Sequence, residues 1–201
     1  MLRWCLVVLA GLAGGAAQAE TAIVAGGCFW CVEADFEQVK GVSGVVSGYT
    51  GGTSANPTYR NHEGHLEAVE ITFDPAVIAY GDLIALFLRS VDVLDPGGQF
   101  CDRGDAYRTA IFVQGQAQRQ AAEAEVARAE AALGRKIVTP VLDAGVFWPA
   151  EDYHQDYWKG SNIVLTRAGP KSQAKAYKFY RKACGRDARV RELWGDEAFP
   201  R

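Results

Sequence analysis

Two cysteines three residues apart flank a Phe-Trp pair in AGGCFWCVEADFE (residues 25–37). Cys28 follows Gly26-Gly27 and opens a segment with helical apolar spacing, so it reads as the first residue of a helix. Free backbone N–H groups and the positive dipole end favour a thiolate there, so Cys28 is expected to have a lowered pKa and to be nucleophilic. Cys31 returns one helical turn later, within range for a disulfide or for attack on an oxidised Cys28 sulfur. Phe29 and Trp30 can wall a small apolar pocket for a methyl group. The same residues also suit plainer roles as a structural disulfide, buried thiols and packed aromatics. A zinc site needs a second ligand pair, which Cys101, Cys184 and three scattered histidines do not supply. Attachment of c-type haem needs a histidine at position 32, which is Val. Thioredoxin-type exchangers usually carry small or polar residues between their cysteines, so the aromatic pair favours a substrate with an apolar end.

A second group lies in GHLEAVEITF, where Glu67 stands among Leu66, Ala68 and Val69. A carboxyl in apolar surroundings is held protonated by desolvation and can serve as a general acid at neutral pH. The strand alternation equally permits a solvent-facing Glu67, as it does Glu70. Tyr59, in the loop NPTYRNHEGH, can hydrogen-bond a polar oxygen or merely pack. His62 and His65 are thin support for a metal. In GGQFCDRGDAYRTAIF, Asp102, Asp105 and Tyr107 precede a strand, a frequent place for site residues and also for ordinary turns. EDYHQDYWKGSN gathers Tyr153, His154, Tyr157 and Trp158; on a helix these divide between core and rim.

The elements that must hold these groups can be read in order. Thr21 to Ala25 is short, apolar and β-branched, a buried strand. Val32, Phe36 and Val39 mark a helix from Cys28 to Val39, with Glu33, Asp35 and Glu37 complementing its dipole, and Gly41 stops it. Strands are expected over 42–49 and 66–73, the second facing inwards through Leu66, Ala68 or Val69, Ile71 and Phe73. A helix near 80–90, a strand at 109–113, a surface helix at 116–133 capped by Gly134, a strand at 137–142 and a charged helix near 170–183 complete the chain. The order β-α-β-β-α-β predicts an α+β two-layer sandwich with a split βαβ, ferredoxin-like core plus extra helices. Two long loops, 50–65 and 92–107, carry Tyr, His, Asp and Cys, and long ordered loops are more often functional than idle.

Residues 1–19 have the form of a secretory signal: Arg3, an apolar run from Trp4 to Ala13, then Ala17-Gln18-Ala19 as an A-x-A cleavage site. Export to a secreted or periplasmic location is expected, leaving residues 20–201 as one domain. The whole chain carries a formal charge of −3, and without Arg3 it is one unit more negative, which gives no cause to expect nucleic acid or an acidic membrane surface as partner. Cys28, Cys31, Cys101 and Cys184 then remain, an even count that permits disulfides in an oxidising compartment.

Taken together, GCFW after a strand, GYTGG…NPTY, GHLEAV, the Asp102-to-Tyr107 spacing and EDYHQDY resemble the peptide-methionine (S)-S-oxide reductases, in order from about residue 22 to 160. That resemblance implies a repair enzyme for the S epimer of methionine sulfoxide, free or in proteins. Cys28 would attack the sulfoxide sulfur, with Phe29 and Trp30 holding the ε-methyl group. Glu67 would protonate the leaving oxygen, assisted by Tyr59 and Tyr107, and Asp102 would help position the substrate. Methionine leaves, and Cys28 becomes a sulfenic acid. No cofactor or metal is implied; electrons would come from a thioredoxin-like dithiol, and a monomer is expected. Many relatives carry Gly where this chain has Cys31 and resolve with a cysteine near the C-terminus. Cys31 is the favoured resolver here and Cys184 the alternative; with Cys31 resolving, Cys101 and Cys184 are left for a second disulfide. The stretch from Tyr59 to Glu67 is also shorter than in many relatives. Two other readings compete: a general CxxC dithiol–disulfide exchanger, which has no need of Glu67, and a binding protein with aromatic loops and structural disulfides.

Overall fold

The strand that begins the domain is buried from Ala22 to Gly26 because it has a neighbour on each edge and packing on both faces. The computed structural model describes residues 18–200. Residues 1–17 of the expected signal, Arg3 and Cys5 among them, lie outside the described residues. In order come β1 (Glu20–Gly26), α1 (Phe29–Phe36), β2 (Val42–Thr50), β3 (Leu66–Phe73), α2 (Tyr80–Leu88), β4 (Gly98–Gln99) and β5 (Asp102–Arg103). They are followed by β6 (Thr109–Val113), α3 (Gln116–Leu133), β7 (Val141–Asp143), β8 (Trp148–Pro149), β9 (Ile163–Thr166), β10 (Gly169–Ser172), α4 (Gln173–Ala183) and α5 (Arg186–Trp194). The main sheet runs β7-β6-β1-β3-β2-β8, antiparallel throughout except for the parallel β6–β7 pair. The α+β expectation holds as a mixed sheet with helices packed against it.

Period-two alternation sorts the side chains between the two faces. Ala22, Val24, Val69, Ile71, Phe73, Ile111 and Val113 meet Phe29, Val32 and Phe36 of α1, five buried residues of α2, and Val190 and Trp194 of α5. Ile23, Ala25, Ala68, Ala110 and Phe112 turn the other way, under Leu66, Ala144 and Phe147. Glu67 therefore shares parity with Val69, Ile71 and Phe73 and points towards the helices. α3 is a surface helix, burying only Ala122 and Ala129 and ending at left-handed Gly134. Among the described residues, no helix is long and apolar enough to cross a membrane.

Several sequence expectations need correction. α1 stops at Phe36 rather than Val39. Glu33 and Asp35 do not serve the helix dipole from solvent; both are fully buried. The strand expected over 137–142 pairs only at Val141–Asp143, since Pro140 has no N–H to give and offers just its carbonyl to Ile111. EDYHQDYW is not one helix but two 3-10 turns, Asp152–His154 and Tyr157–Lys159, separated by Asp156 at φ 56°. The tail around Trp194 forms α5.

Candidate active site

Gly26 and Gly27 set where Cys28 can lie. A Cβ on Gly26 would sit 2.9 Å from Val32, and one on Gly27 would sit 2.5 Å from the buried Gln99 side chain. Gly27 also has φ +78°, a conformation that glycine adopts without strain. With both positions bare, β1 turns directly into α1 and Cys28 becomes its N-cap residue. The next residue, Phe29, donates its backbone N–H to Glu67 Oε2 at 3.1 Å. One peptide unit thus ties the thiol to the carboxyl. Glu67 is only 2 % exposed, and burial pushes its pKa up to about 8; the Phe29 N–H opposes that rise, while the charges of Asp102 and Cys31 add to it. At neutral pH Glu67 is mainly protonated, as a general acid must be.

The hydroxyls of Tyr59 and Tyr107 lie close enough to interact, and both feel the charges of Glu67, Cys28 and Asp102. Burial raises both phenol pKa values, so each hydroxyl keeps its proton and remains a donor. Tyr59 is held by its backbone N–H to Glu151 Oε1 at 3.0 Å, and Glu151 Oε2 accepts from Tyr49 at 3.1 Å. Tyr49 lies directly across the β2–β3 ladder from Glu67. On the other side of Cys28 opens a cavity of about 470 Å3, lined in part by Trp30, Cys31, Asp102, Tyr157 and Arg186. Trp30 faces this cavity, whereas Phe29 is 1 % exposed, its ring 5.0 Å from that of His154. Burial raises the pKa of Asp102, and the nearby Arg186 opposes the rise.

The two thiols do not share charge as the sequence suggests. The Cys31 pKa falls to about 6 because the Cys28 thiol donates a hydrogen bond to it and because Arg186 and Arg181 lie near it; burial works against the fall. Cys28 moves the opposite way, raised by that same hydrogen bond, by burial and by the charge on Cys31. The expectation of a lowered Cys28 pKa is overturned for the resting dithiol. The hydrogen bond between the two thiols is the largest cause of the difference, and the cations on the Cys31 side add to it.

A family model described as "Peptide methionine sulfoxide reductase" matches residues 20–195. The chain belongs to the peptide methionine sulfoxide reductase family. It is 50% identical over 186 residues to "Peptide methionine sulfoxide reductase MsrA 2" of Rhizobium meliloti (strain 1021), spanning 92% of this chain and 88% of that protein. It is 42% identical over 185 residues to "Peptide methionine sulfoxide reductase MsrA" of Bacillus pumilus, spanning 89% and 97%. Among solved structures it resembles methionine sulfoxide reductase A of Corynebacterium diphtheriae, at 31% identity and a TM-score of 0.63 over 73% of this chain and 76% of that one.

Within this reductase-family chain, Cys28, Cys31, Glu67, Tyr59, Tyr107 and Asp102 come together around one sulfur, with Phe29 and Trp30 beside it. Cys101 and Cys184 form a disulfide with Cα atoms 5.2 Å apart, which leaves Cys31 as the free cysteine beside Cys28. His62 and His65 take no part in a metal cluster among the described residues; His65 instead accepts from Gly52 N–H at 3.3 Å and pins the loop. The sequence reading named His154 and Tyr157 as core or rim of a helix and gave them no role at the site. His154 Nδ1 accepts from Trp30 Nε1 at 3.2 Å, and Tyr157 stacks on the Trp30 ring at 3.7 Å. Burial lowers the His154 pKa to about 4, which keeps the ring neutral and able to accept. Arg186 also escaped notice: it is buried, and its segment is otherwise polar, while Asp35, expected to serve the helix dipole, is buried with it.

Proposed function

We propose that this protein reduces the S epimer of methionine sulfoxide, free and in proteins, and so repairs oxidised methionine. One observation carries the reading: the peptide bond between the nucleophile Cys28 and Phe29 hands its N–H to a buried, protonated Glu67. A thiol exchanger has no use for such an acid, because a thiolate leaves without protonation, whereas a sulfoxide oxygen does not. The Cys28 sulfur attacks the sulfoxide sulfur as Glu67 gives its proton to the oxygen. The Tyr59 and Tyr107 hydroxyls donate to that same oxygen, Trp30 and Phe29 enclose the methyl group, and Asp102 orients the substrate. Methionine departs and Cys28 is left as a sulfenic acid.

Cys31 then attacks the Cys28 sulfur, water leaves, and a Cys28–Cys31 disulfide remains for a thioredoxin-like dithiol to reduce. No prosthetic group is required. The strand order β6-β1-β3-β2, with α1 and α2 as crossovers, supports reading the sheet centre as a split βαβ core whose first strand delivers Cys28. The form of residues 1–19 and the Cys101–Cys184 disulfide together support export to an oxidising compartment. A mature N-terminus at Glu20, read by peptide sequencing of exported protein, is the expected outcome.

The deciding experiment gives the reduced protein excess racemic methionine sulfoxide and no other reductant. About one methionine per enzyme, an untouched R epimer and a Cys28–Cys31 bridge in the peptide map are expected. Cys31→Ser is expected to release one methionine and stop as a sulfenic acid that dimedone traps. No methionine from the unmodified chain would return the CxxC to thiol exchange or structure.

A further inference from the structure

Arg186 is the first residue of α5, and two features deliver it inwards. Cys184 ends α4 and is fastened to Cys101, and Gly185 reverses the chain at φ +68°. The guanidinium that results is 2 % exposed. Its Nη1 donates to Gly26 O at 3.3 Å and its carbon lies 4.7 Å above the Phe100 ring. Its Nε stands 3.9 Å from Asp35 Oδ2, too far for a hydrogen bond. Nε and Nη2 are buried with no hydrogen-bond partner, an arrangement that leaving a charged donor unmet makes costly. Arg181, its neighbour in space, differs: its donors go to Asp35, Asp187 and the Tyr177 hydroxyl. Arg186 thus brings spare donors to the wall of the cavity that Cys28 and Cys31 also line.

We propose that Arg186 is a positioning residue for the resolving half-reaction, holding the Cys31 sulfur as a thiolate beside Cys28. This deepens the reading above and rests on Cys31 being the resolver. The charged and titratable groups around the pair are Cys28 and Asp35 from α1, Glu67 from β3, Asp102 from β5, Tyr59, Tyr107 and Tyr157 from the loops, Tyr177 and Arg181 from α4, and Asp187 from α5. Arg181 is taken up by Asp35 and Asp187, and Glu67 is mainly neutral at pH 7, so Arg186 is the cation left to oppose Asp102 across the cavity. Among these cations Arg186 acts on Cys31 most strongly.

The protons balance through the cycle. In the resting pair Cys28 carries a proton and Cys31 a negative charge. As Cys28 attacks, its proton passes to Cys31 while that of Glu67 goes to the sulfoxide oxygen. This leaves Cys28 sulfenic acid, methionine, a Cys31 thiol and a Glu67 carboxylate. The Cys31 sulfur then bonds to Cys28, the S–O bond breaks, and the hydroxyl leaves as water with the Cys31 proton. Two thiols are oxidised to a disulfide and one sulfoxide is reduced. Glu67 regains its proton from solvent. Arg186 acts at the moment Cys31 sheds its proton, by making the thiolate cheap to form.

The test uses the mature protein carrying Cys28→Ser, whose hydroxyl keeps a donor beside Cys31. Iodoacetamide alkylation of Cys31 against pH is expected to have its midpoint near the value of about 6 that the site gives this thiol. Arg186→Met is expected to move that midpoint up by at least about one pH unit, tenfold in thiolate fraction, and Arg186→Lys to restore most of it. In the enzyme with both cysteines, Arg186→Met is expected to lengthen the lifetime of the free sulfenic acid, read by adding dimedone at successive delays, about tenfold near pH 6.5. The lifetimes should converge above about pH 9, where an ordinary thiol ionises unaided. A purely structural Arg186 would slow resolution equally at every pH.

An unshifted midpoint in Arg186→Met overturns the inference. If that variant does not fold, a midpoint at the ordinary thiol value of roughly 8.5 in the Cys28→Ser protein overturns it as well. Failure here is distinct from failure of the reductase reading. Methionine release with an unshifted midpoint removes Arg186 alone. A shifted midpoint without methionine release removes the reductase and leaves the hold of Arg186 on Cys31.

Discussion

Glu67 is held in a state that favours chemistry over stability. Its carboxyl has an ordinary pKa of roughly 4.3 in an unfolded chain and about 8 in the fold. A group whose folded pKa is raised contributes most below its unfolded value. Its contribution falls as pH rises from about 4.3 to about 8 and is constant beyond. At neutral pH folding must therefore protonate Glu67. Glu67→Gln keeps the acceptor for the Phe29 N–H and removes that cost, so it is expected to gain about 2 kcal/mol at pH 7, read as a higher urea midpoint. The same variant has no proton to give and is expected to release methionine at least about a hundredfold more slowly in a single turnover. In the unmodified enzyme that rate should fall as pH rises through about 8, and the Gln variant should lack this limb. A variant that is both less stable and fully active would remove Glu67 from the chemistry. The sequence brought Glu67 forward through its apolar neighbours but left its direction open. Parity with Val69, Ile71 and Phe73 decides it, and that parity needs the position of the helices.

At the scale of elements, legibility followed regularity. β1 and β6 were readable as short apolar runs, β3 by its period-two alternation, and α3 by its Ala, Glu, Gln and Arg composition with Gly134 at its end. GCFWC could be placed at a helix start because the glycines before it mark the end of a strand. The strap from Glu151 to Tyr157 was not readable. Asp156 sits at φ 56° and breaks the spacing, so a single-helix reading split its residues between core and rim instead of aiming them at one target. In fact Glu151 holds Tyr59 and Tyr49, Gln155 brackets Ser47, and His154 and Tyr157 hold Trp30. Trp30 is aimed by contacts more than a hundred residues away, which no local pattern announces. His154→Ala removes the acceptor for Trp30 Nε1 and leaves that donor unmet. It is expected to lower kcat/KM for a methyl sulfoxide roughly tenfold, mostly through KM, because apolar binding is lost while Cys28 and Glu67 stay in place. The intrinsic Trp fluorescence of the variant should change at the same time. A fall confined to kcat would mean that His154 acts on the reacting atoms instead.

Across the whole molecule, the parts of the cavity come from distant stretches of chain, and one covalent link joins two of them. The Cys101–Cys184 disulfide spans 83 residues, tying the β4–β5 hairpin that carries Asp102 to the α4–α5 corner that carries Arg186. A loop of that length costs the unfolded chain about 4.5 kcal/mol of closure entropy at 25 °C. Cys101→Ser combined with Cys184→Ser is therefore expected to lower stability by up to that amount. For a domain of this size the urea midpoint should fall by about 1–2 M. Dithiothreitol should produce a similar fall in the unmodified protein and none in the double variant. Activity separates two roles for Cys184. If the bond is a brace, the double variant still turns over with a dithiol donor while folded, since Cys28 and Cys31 are intact, and its KM rises as Asp102 and Arg186 loosen. If Cys184 resolves the sulfenic acid, the double variant releases one methionine and then stalls. The place of Cys31 one turn from Cys28, the cations on its side and the closed Cys101–Cys184 bond favour the brace.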